Sequence, residues 1–166
     1  MTGVQTCALP IFFRTGDKGQ RRADGLLMLT GRLKELFKTA KGKYVAPAPI
    51  ENRINEHALV ELSCVSGVGY PAAFGLLVLA EDIRGKVSDP AVRAQIEQEL
   101  GVWLKQVNSE LSGYEQLQMF VIAKEPWTIE NGMLTPTMKI KRSKIEAAFS
   151  KQLDGWYATK GAVVWA

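Results

Sequence analysis

The sequence predicts an α+β fold, a small mixed sheet with helices on one side. Three observations carry that expectation. Short apolar runs bounded by Gly, Pro, Asn or Asp recur along the chain, as half-buried or buried strands require. Between them Val92, Ile96, Leu100, Trp103, Leu104, Val107 and Leu111 repeat at helical spacing. The composition supplies a core, because 46% of the 166 residues are hydrophobic and 23% are charged. That apolar content excludes disorder over the whole length.

The elements follow in order. Residues 2–11 read TGVQTCALPI, without alternation or helical period and without the basic start and long apolar centre of a signal peptide. The segment reads as translated sequencing-adapter sequence joined to a coding sequence, so residues 1–11, Cys7 included, are expected to carry no chemistry. Phe12 to Asp17 is an apolar entry to a turn. Asp24-Gly25 signals a hairpin, and Leu26 to Thr30 reads as a buried strand. Leu36 to Thr39 is extended, and Lys41-Gly42-Lys43 is a turn. Pro47 and Pro49 open a helix whose Ile50, Ile54 and Ala58 share a face. Val60 to Val68 and Gly75 to Ala80 are strands joined by a hairpin at Tyr70 to Ala73. Ser88 is the expected cap of the long helix, with Pro90 as its opener. Gln118 to Ala123 is a further strand, Asn131-Gly132 starts a loop, and Ser143 to Leu153 reads as a final helix. Val163-Val164-Trp165 is expected to make a small terminal contact, and Trp103 to sit in the core.

Several function classes fall away at once. No apolar run is long enough to cross a bilayer as a helix. Two Cys and one His rule out a disulfide scaffold, a four-Cys zinc site and most His-based metal sites. The net charge of +4 suits a polyanionic ligand such as a nucleotide or coenzyme. His57 and Cys64 could be imagined as a base and nucleophile, but one ends a polar helix and the other lies in an apolar strand, so structural roles are expected. Gly67-Val68-Gly69 completes no dinucleotide-binding motif and reads as a hairpin turn.

Three segments can carry chemistry. Asp17 stands after a Gly turn, where a carboxylate can accept from two adjacent hydroxyls such as a ribose diol. Residues 31–47, GRLKELFKTAKGKYVAP, hold five cations and one acid, with the cations flanking Gly turns that allow close backbone approach to a phosphorylated ligand. Residues 134–144, LTPTMKIKRSK, put four cations between Lys139 and Lys144. No aromatic residues interleave with them, which argues against a stacking nucleic-acid surface. A Lys on a Pro-bounded loop could instead reach a neighbouring site and neutralise developing phosphoryl charge.

The order FRTGD, GRLKELFKTAKGKYVAP, KEPWTIENGMLTPTMKIKR and a terminal GAVVWA resembles the C-terminal end of acyl-CoA synthetases of the adenylate-forming AMP-binding superfamily. KGKYVAP with LTPTMKIKR is most similar to the long-chain fatty acyl-CoA ligase branch. The resemblance implies residues 12–31 as the end of a large AMP-binding domain and 32–166 as a mobile C-terminal lid. It implies activation of a fatty acid by ATP through an acyl-adenylate, with Mg²⁺ assistance, and transfer to CoA. Asp17 and Arg32 match nucleotide-binding residues, Lys34 the hinge, and Lys139 the catalytic lysine of adenylation. Lys38, Gly42 and Tyr44 fall on the loop that serves thioester formation. The phosphate loop, the acyl tunnel and the Mg²⁺ carboxylate belong upstream in the family, so these residues alone are expected to be inactive and to need an N-terminal AMP-binding domain as partner. The cytoplasm is the expected location, with peripheral membrane attachment left open. Two alternatives stand beside this reading: an adenylating enzyme with a carrier-protein acceptor, and a small basic nucleic-acid-binding module.

Overall fold

A computed structural model describes residues 16–32 and 35–166. The readings of residues 1–11 and of Lys34 lie outside the described residues. The first described unit is a hairpin of β1 (Asp17–Arg21) and β2 (Leu27–Arg32). It turns at Asp24-Gly25, where the Asp24 carboxylate accepts from the Leu26 amide at 3.1 Å. The sequence expects a buried strand here. Instead Leu26 and Leu27 are 63% and 70% exposed, because this hairpin is a sheet of its own and pairs with no third strand among the described residues.

A second hairpin joins β3 (Phe37–Lys38) to β4 (Tyr44–Val45). Helix α1 (Pro47–Ile54) follows, with Pro at its start, where a missing N–H breaks no helical bond. The main sheet runs in the order β5 (Val60–Ser66), β6 (Ala73–Leu79), β7 (Leu117–Ile122), β8 (Val163–Trp165). β5 and β6 are antiparallel, whereas β6–β7 and β7–β8 are parallel, so the sheet is mixed as expected. Between β5 and β6 the chain turns tightly at Gly67, whose φ is 150° and where a Cβ would meet Ala73 Cα at 2.8 Å. Only glycine fits that turn.

Parallel neighbours need long crossovers. Helices α2 (Glu81–Arg84) and α3 (Pro90–Glu110) make the first, and α4 (Arg142–Phe149) and α5 (Leu153–Ala158) lie in the second. The period-2 alternation of β6 then divides two cores. Ala73, Leu77 and Leu79 pack with Ile50 and Ile54 of α1 and Ile96, Leu100 and Leu104 of α3. Phe74, Leu76 and Val78 pack with Ile145 of α4 and Trp156 of α5. The α+β class and the mixed sheet therefore hold, but helices cover both faces rather than one. The difference arises because the second crossover returns across the face that α1 and α3 leave open.

Smaller departures have local causes. The long helix is capped by Asp89, not Ser88, because Pro90 occupies the first helical position and the Asp89 carboxylate accepts from Ala91 N at 2.8 Å. The final helix is two: the break after Phe149 swings Trp156 onto Phe74, edge-on with centroids 6.0 Å apart. The terminal Val163–Trp165 segment is a full strand, paired with Phe120, Val121 and Ile122. Trp103 lies at the margin of the core, half-buried, and donates to the Ile54 carbonyl at 3.3 Å. The Arg53 guanidinium covers its ring at 4.4 Å and pairs with Glu110, which ties α1 to α3. No helix among the described residues is long and apolar enough to cross a membrane.

Candidate functional site

The β1–β2 register sets Asp17 opposite Arg32. The two residues assigned to nucleotide binding thus come together across one hairpin.

Lys38, Gly42 and Tyr44 are also brought together, on the β3–β4 hairpin. Its strands pair Phe37 with Val45 and Lys38 with Tyr44. The turn closes through Gly42 N donating to the Thr39 carbonyl at 2.9 Å and Thr39 N donating to the Lys43 carbonyl at 3.0 Å. Gly42 takes a φ of 78°, in the left-handed region that a Cβ disfavours. The Lys38 ammonium lies 5.8 Å from the Tyr44 ring centroid. Inward, Phe37 and Val45 are anchored in the core shared with α1 and α3. Outward, Lys38, Gly42 and Tyr44 are exposed. Two backbone bonds dock the hairpin on the β5–β6 turn: Gly69 N to the Lys38 carbonyl at 3.1 Å, and Ala40 N to the Tyr70 carbonyl at 2.9 Å. Tyr70 in turn stacks on Tyr157 of α5 at 4.4 Å and donates to Asp154 at 2.8 Å.

Lys139 sits on a different loop. Leu134 and Ile140 bridge at its base. Thr135 N donates to the Lys139 carbonyl at 2.8 Å, and Lys139 N donates to Thr135 Oγ1 at 3.1 Å. Met138 adopts a φ of 60°, a conformation uncommon for a bulky side chain, so the tip is held by more than its own preference. Leu134 is fully buried in the core shared with α4 and α5. The Lys139 side chain is exposed, and no acid among the described residues lies within ion-pair distance of its ammonium. It borders a cleft of about 660 Å³ that is also lined by Leu36, Phe37, Val68, Thr135 and Arg142.

Sequence reasoning missed the polar centre beneath that cleft. Arg142 and Glu51 form a two-pronged ion pair, Nη1–Oε1 at 2.6 Å and Nη2–Oε2 at 3.0 Å. Burial alone would weaken the charge on Arg142, but the hydrogen bonds to Glu51 outweigh it and raise its pKa above the ordinary value. Glu51 Oε1 also accepts from Val65 N at 2.7 Å, and Arg142 Nη1 donates to the Val65 carbonyl at 2.8 Å and to Cys64 Sγ at 3.3 Å. Beside them Ser66 donates to Glu146 at 2.6 Å. A signal existed: Glu51 shares the inward face of α1 with Pro47 and Ile54, and an acid on an apolar face requires a partner. Cys64 is buried, and burial pushes its thiol up to about 12. His57 instead packs on Trp103, so the two form no catalytic pair. Among the described residues no group of three or more His, Cys, Asp or Glu side chains could hold a metal ion. The resemblance places the Mg²⁺ carboxylate upstream of these residues, and none of the assigned site residues is a ligand to it.

Comparison with known proteins follows the same outline. A family described as the AMP-binding enzyme C-terminal domain matches residues 35–161. The long-chain-fatty-acid–CoA ligase FadD15 of Mycobacterium tuberculosis is 32% identical over 158 residues, which cover 88% of this chain and 26% of that protein. The mouse (Mus musculus) long-chain-fatty-acid–CoA ligase 5 is 31% identical, covering 88% of this chain and 23% of its own length. The chain thus spans about a quarter of the length of the curated relatives it matches. Among solved structures, the A-PCP didomain of carboxylic acid reductase from Segniliparus rugosus in complex with AMP superposes with a TM-score of 0.71 at 28% identity, over 87% of this chain and 20% of that one. The Mycobacterium tuberculosis fatty acyl CoA synthetase shares the fold with a TM-score of 0.52 at 23% identity, over 84% of this chain and 24% of that one.

Proposed function

Because the chain belongs to the AMP-binding enzyme C-terminal domain family, we propose that it is the mobile lid of a long-chain fatty acid–CoA ligase. Such a ligase joins a carboxylic acid to ATP as an acyl-adenylate and then passes the acyl group to CoA. The domain boundary proposed is Gly31-Arg32, with Lys34 as the hinge, and the rest of the machinery lies in the remainder of a longer protein. One observation carries the reading: two exposed cationic loops, at Lys139 and at Lys38 to Tyr44, are rooted in opposite layers of one sheet. Adenylation brings two anions together, the carboxylate and the α-phosphate, and their approach needs a positive group between them. Lys139, on a braced loop and without an ion-pair partner among the described residues, suits that role, and a positioned donor of this kind is worth about 10²–10³ in rate. Thioester formation needs a different surface, and the hairpin offers one once the lid turns. Asp17 and Arg32, opposed across their hairpin, are proposed to hold the ribose and phosphate of the nucleotide.

In a ligase carrying this chain, Lys139→Ala should lower carboxylate-dependent pyrophosphate exchange by about 10²–10³ and spare thioester formation from a supplied acyl-adenylate. Equal loss in both half-reactions would refute the assignment. A second reading has its own support. The A-PCP didomain of a carboxylic acid reductase is among the solved structures that share this fold, at 28% identity, and it keeps an acceptor thiol on a carrier protein as the alternative. Offering free CoA and a phosphopantetheine-loaded carrier side by side separates the two.

A further inference from the structure

We propose that Arg142 is a positioning residue for Lys139, acting through an ion pair with Glu51 that wraps the free edge of the main sheet. The inference rests on the adenylation role proposed above and adds what holds its lysine in place. β5 is an outer strand of the sheet, and an outer strand leaves alternate N–H and C=O groups without a neighbour. At Val65 both are taken by side chains: the amide by Glu51 and the carbonyl by Arg142. Glu51 belongs to α1 on one face of the sheet and Arg142 opens α4 on the other. One buried pair therefore fastens the two helical layers to each other and to the strand between them. The Arg142 and Glu51 side chains are only 17% and 11% exposed, respectively.

Arg142 also closes the Lys139 loop. It follows Ile140, which bridges to Leu134, and Lys141, whose amide donates to the Met133 carbonyl at 2.8 Å. The loop is thus pinned at its entry by buried Leu134 and at its exit by the guanidinium. The requirement is for a fork. One nitrogen reaches Glu51 Oε1, Cys64 and Val65, while the other holds Glu51 Oε2. A lysine has one nitrogen and cannot span both carboxylate oxygens and the carbonyl in that geometry. The same layout fixes the spacing between Lys139 and the hairpin, because Phe37 and Val45 pack with α1, whose Glu51 the fork grips.

Amide hydrogen exchange on the 166-residue chain tests the clamp directly, with Leu77 and Val121 in the sheet reporting the intact fold. In Arg142→Met the amides of Thr135, Met138, Lys139 and Lys141 should exchange at least roughly tenfold faster by local opening, as happens when an anchor is lost, while the sheet amides remain the slowest-exchanging set and report only the fall in global stability. In a ligase carrying this chain, the same variant should lower the kcat of carboxylate-dependent pyrophosphate exchange by about 10²-fold with little change in KM for ATP, the cost of a misplaced group. Transfer from a supplied acyl-adenylate should be spared, and Arg142→Lys should recover part of the loss. If Arg142→Met does not fold, Glu51→Gln, which keeps an acceptor for Val65 but removes the charge, should give the same pattern. Unchanged loop amides in a folded variant, or equal loss in both half-reactions, overturn the proposal. A parent ligase without carboxylate-dependent exchange would remove the adenylation reading, and the amide data would still decide whether Arg142 holds the loop.

Discussion

The Lys38–Tyr44 hairpin and the Lys139 loop are both short, cationic, exposed and closed by backbone bonds, yet only the second is also fastened by a buried ion pair. The hairpin is fastened by backbone bonds and by neutral or exposed groups: the Gly69 and Ala40 amides, and Tyr70 between Tyr157 and Asp154. The Lys139 loop has backbone bonds of its own, but its exit depends in addition on a buried ion pair. Backbone bonds survive most side-chain changes, because their donors and acceptors do not depend on residue type. A buried ion pair does not survive the loss of one partner, because the remaining charge is stranded without water.

The largest expected effect follows from that asymmetry. Arg142→Met should cost about 3–5 kcal/mol of stability, since it leaves the Glu51 carboxylate buried and uncompensated. Urea unfolding at constant m-value would measure it. No substitution at an exposed position of the hairpin, Lys38 to Tyr44, should approach that cost, and one that did would break the comparison.

The next effect concerns pH and lies on the loop side as well. Burial pushes the Cys64 thiol from its ordinary 9.0 up to about 12. Its contribution to stability is therefore complete below about pH 9 and is lost as the pH rises towards about 12. Across that window stability should fall with rising pH, because the unfolded chain releases the thiol proton before the native one does. Tyr157 is raised by burial too, so Cys64→Ala should flatten the alkaline fall without abolishing it. Unfolding curves at pH 8, about 9.5 and about 11 would show the change in slope.

Gly42→Ala should destabilise the hairpin by about 1–2 kcal/mol, because an alanine must adopt the left-handed conformation there. Its effect should be confined to the hairpin, visible as faster exchange at the Thr39 and Gly42 amides. Tyr70→Phe should do least. The hydroxyl it removes bonds to an exposed carboxylate, and the stack on Tyr157 remains, so the unfolding midpoint should stay within error. A large shift would mean that the hairpin depends on that polar contact more than on its backbone bonds.

Much of the fold was legible locally. The heptad-like run from Val92 to Leu111, the Asp24-Gly25 turn and the apolar runs of β5, β6 and β7 each state their structure within a dozen residues. Lys38, Gly42 and Tyr44 were legible as a group, since a turn brings near neighbours together. The errors share one cause. Leu26 and Leu27 look buried by composition, yet nothing in a local window says which layer covers a strand. Ser88 and Asp89 both satisfy the rule for a cap, and only the backbone path selects the second. Glu51 could have been flagged as an acid on an inward face, but its partner lies 91 residues away.

By itself, the sequence determined the apolar faces of the long helix and of β5 to β7, where the chain bends and where its cations gather. These properties depend on side-chain period and on backbone sterics over a few residues. Only the tertiary structure decided that the two cationic loops root in opposite layers, and that Glu51 and Arg142 meet around the edge of β5. Inward-facing patterns do not name the surface they will meet. That choice is made by the packing of whole helices on the two faces of the sheet, and by the need of one outer strand for partners to its free amide and carbonyl.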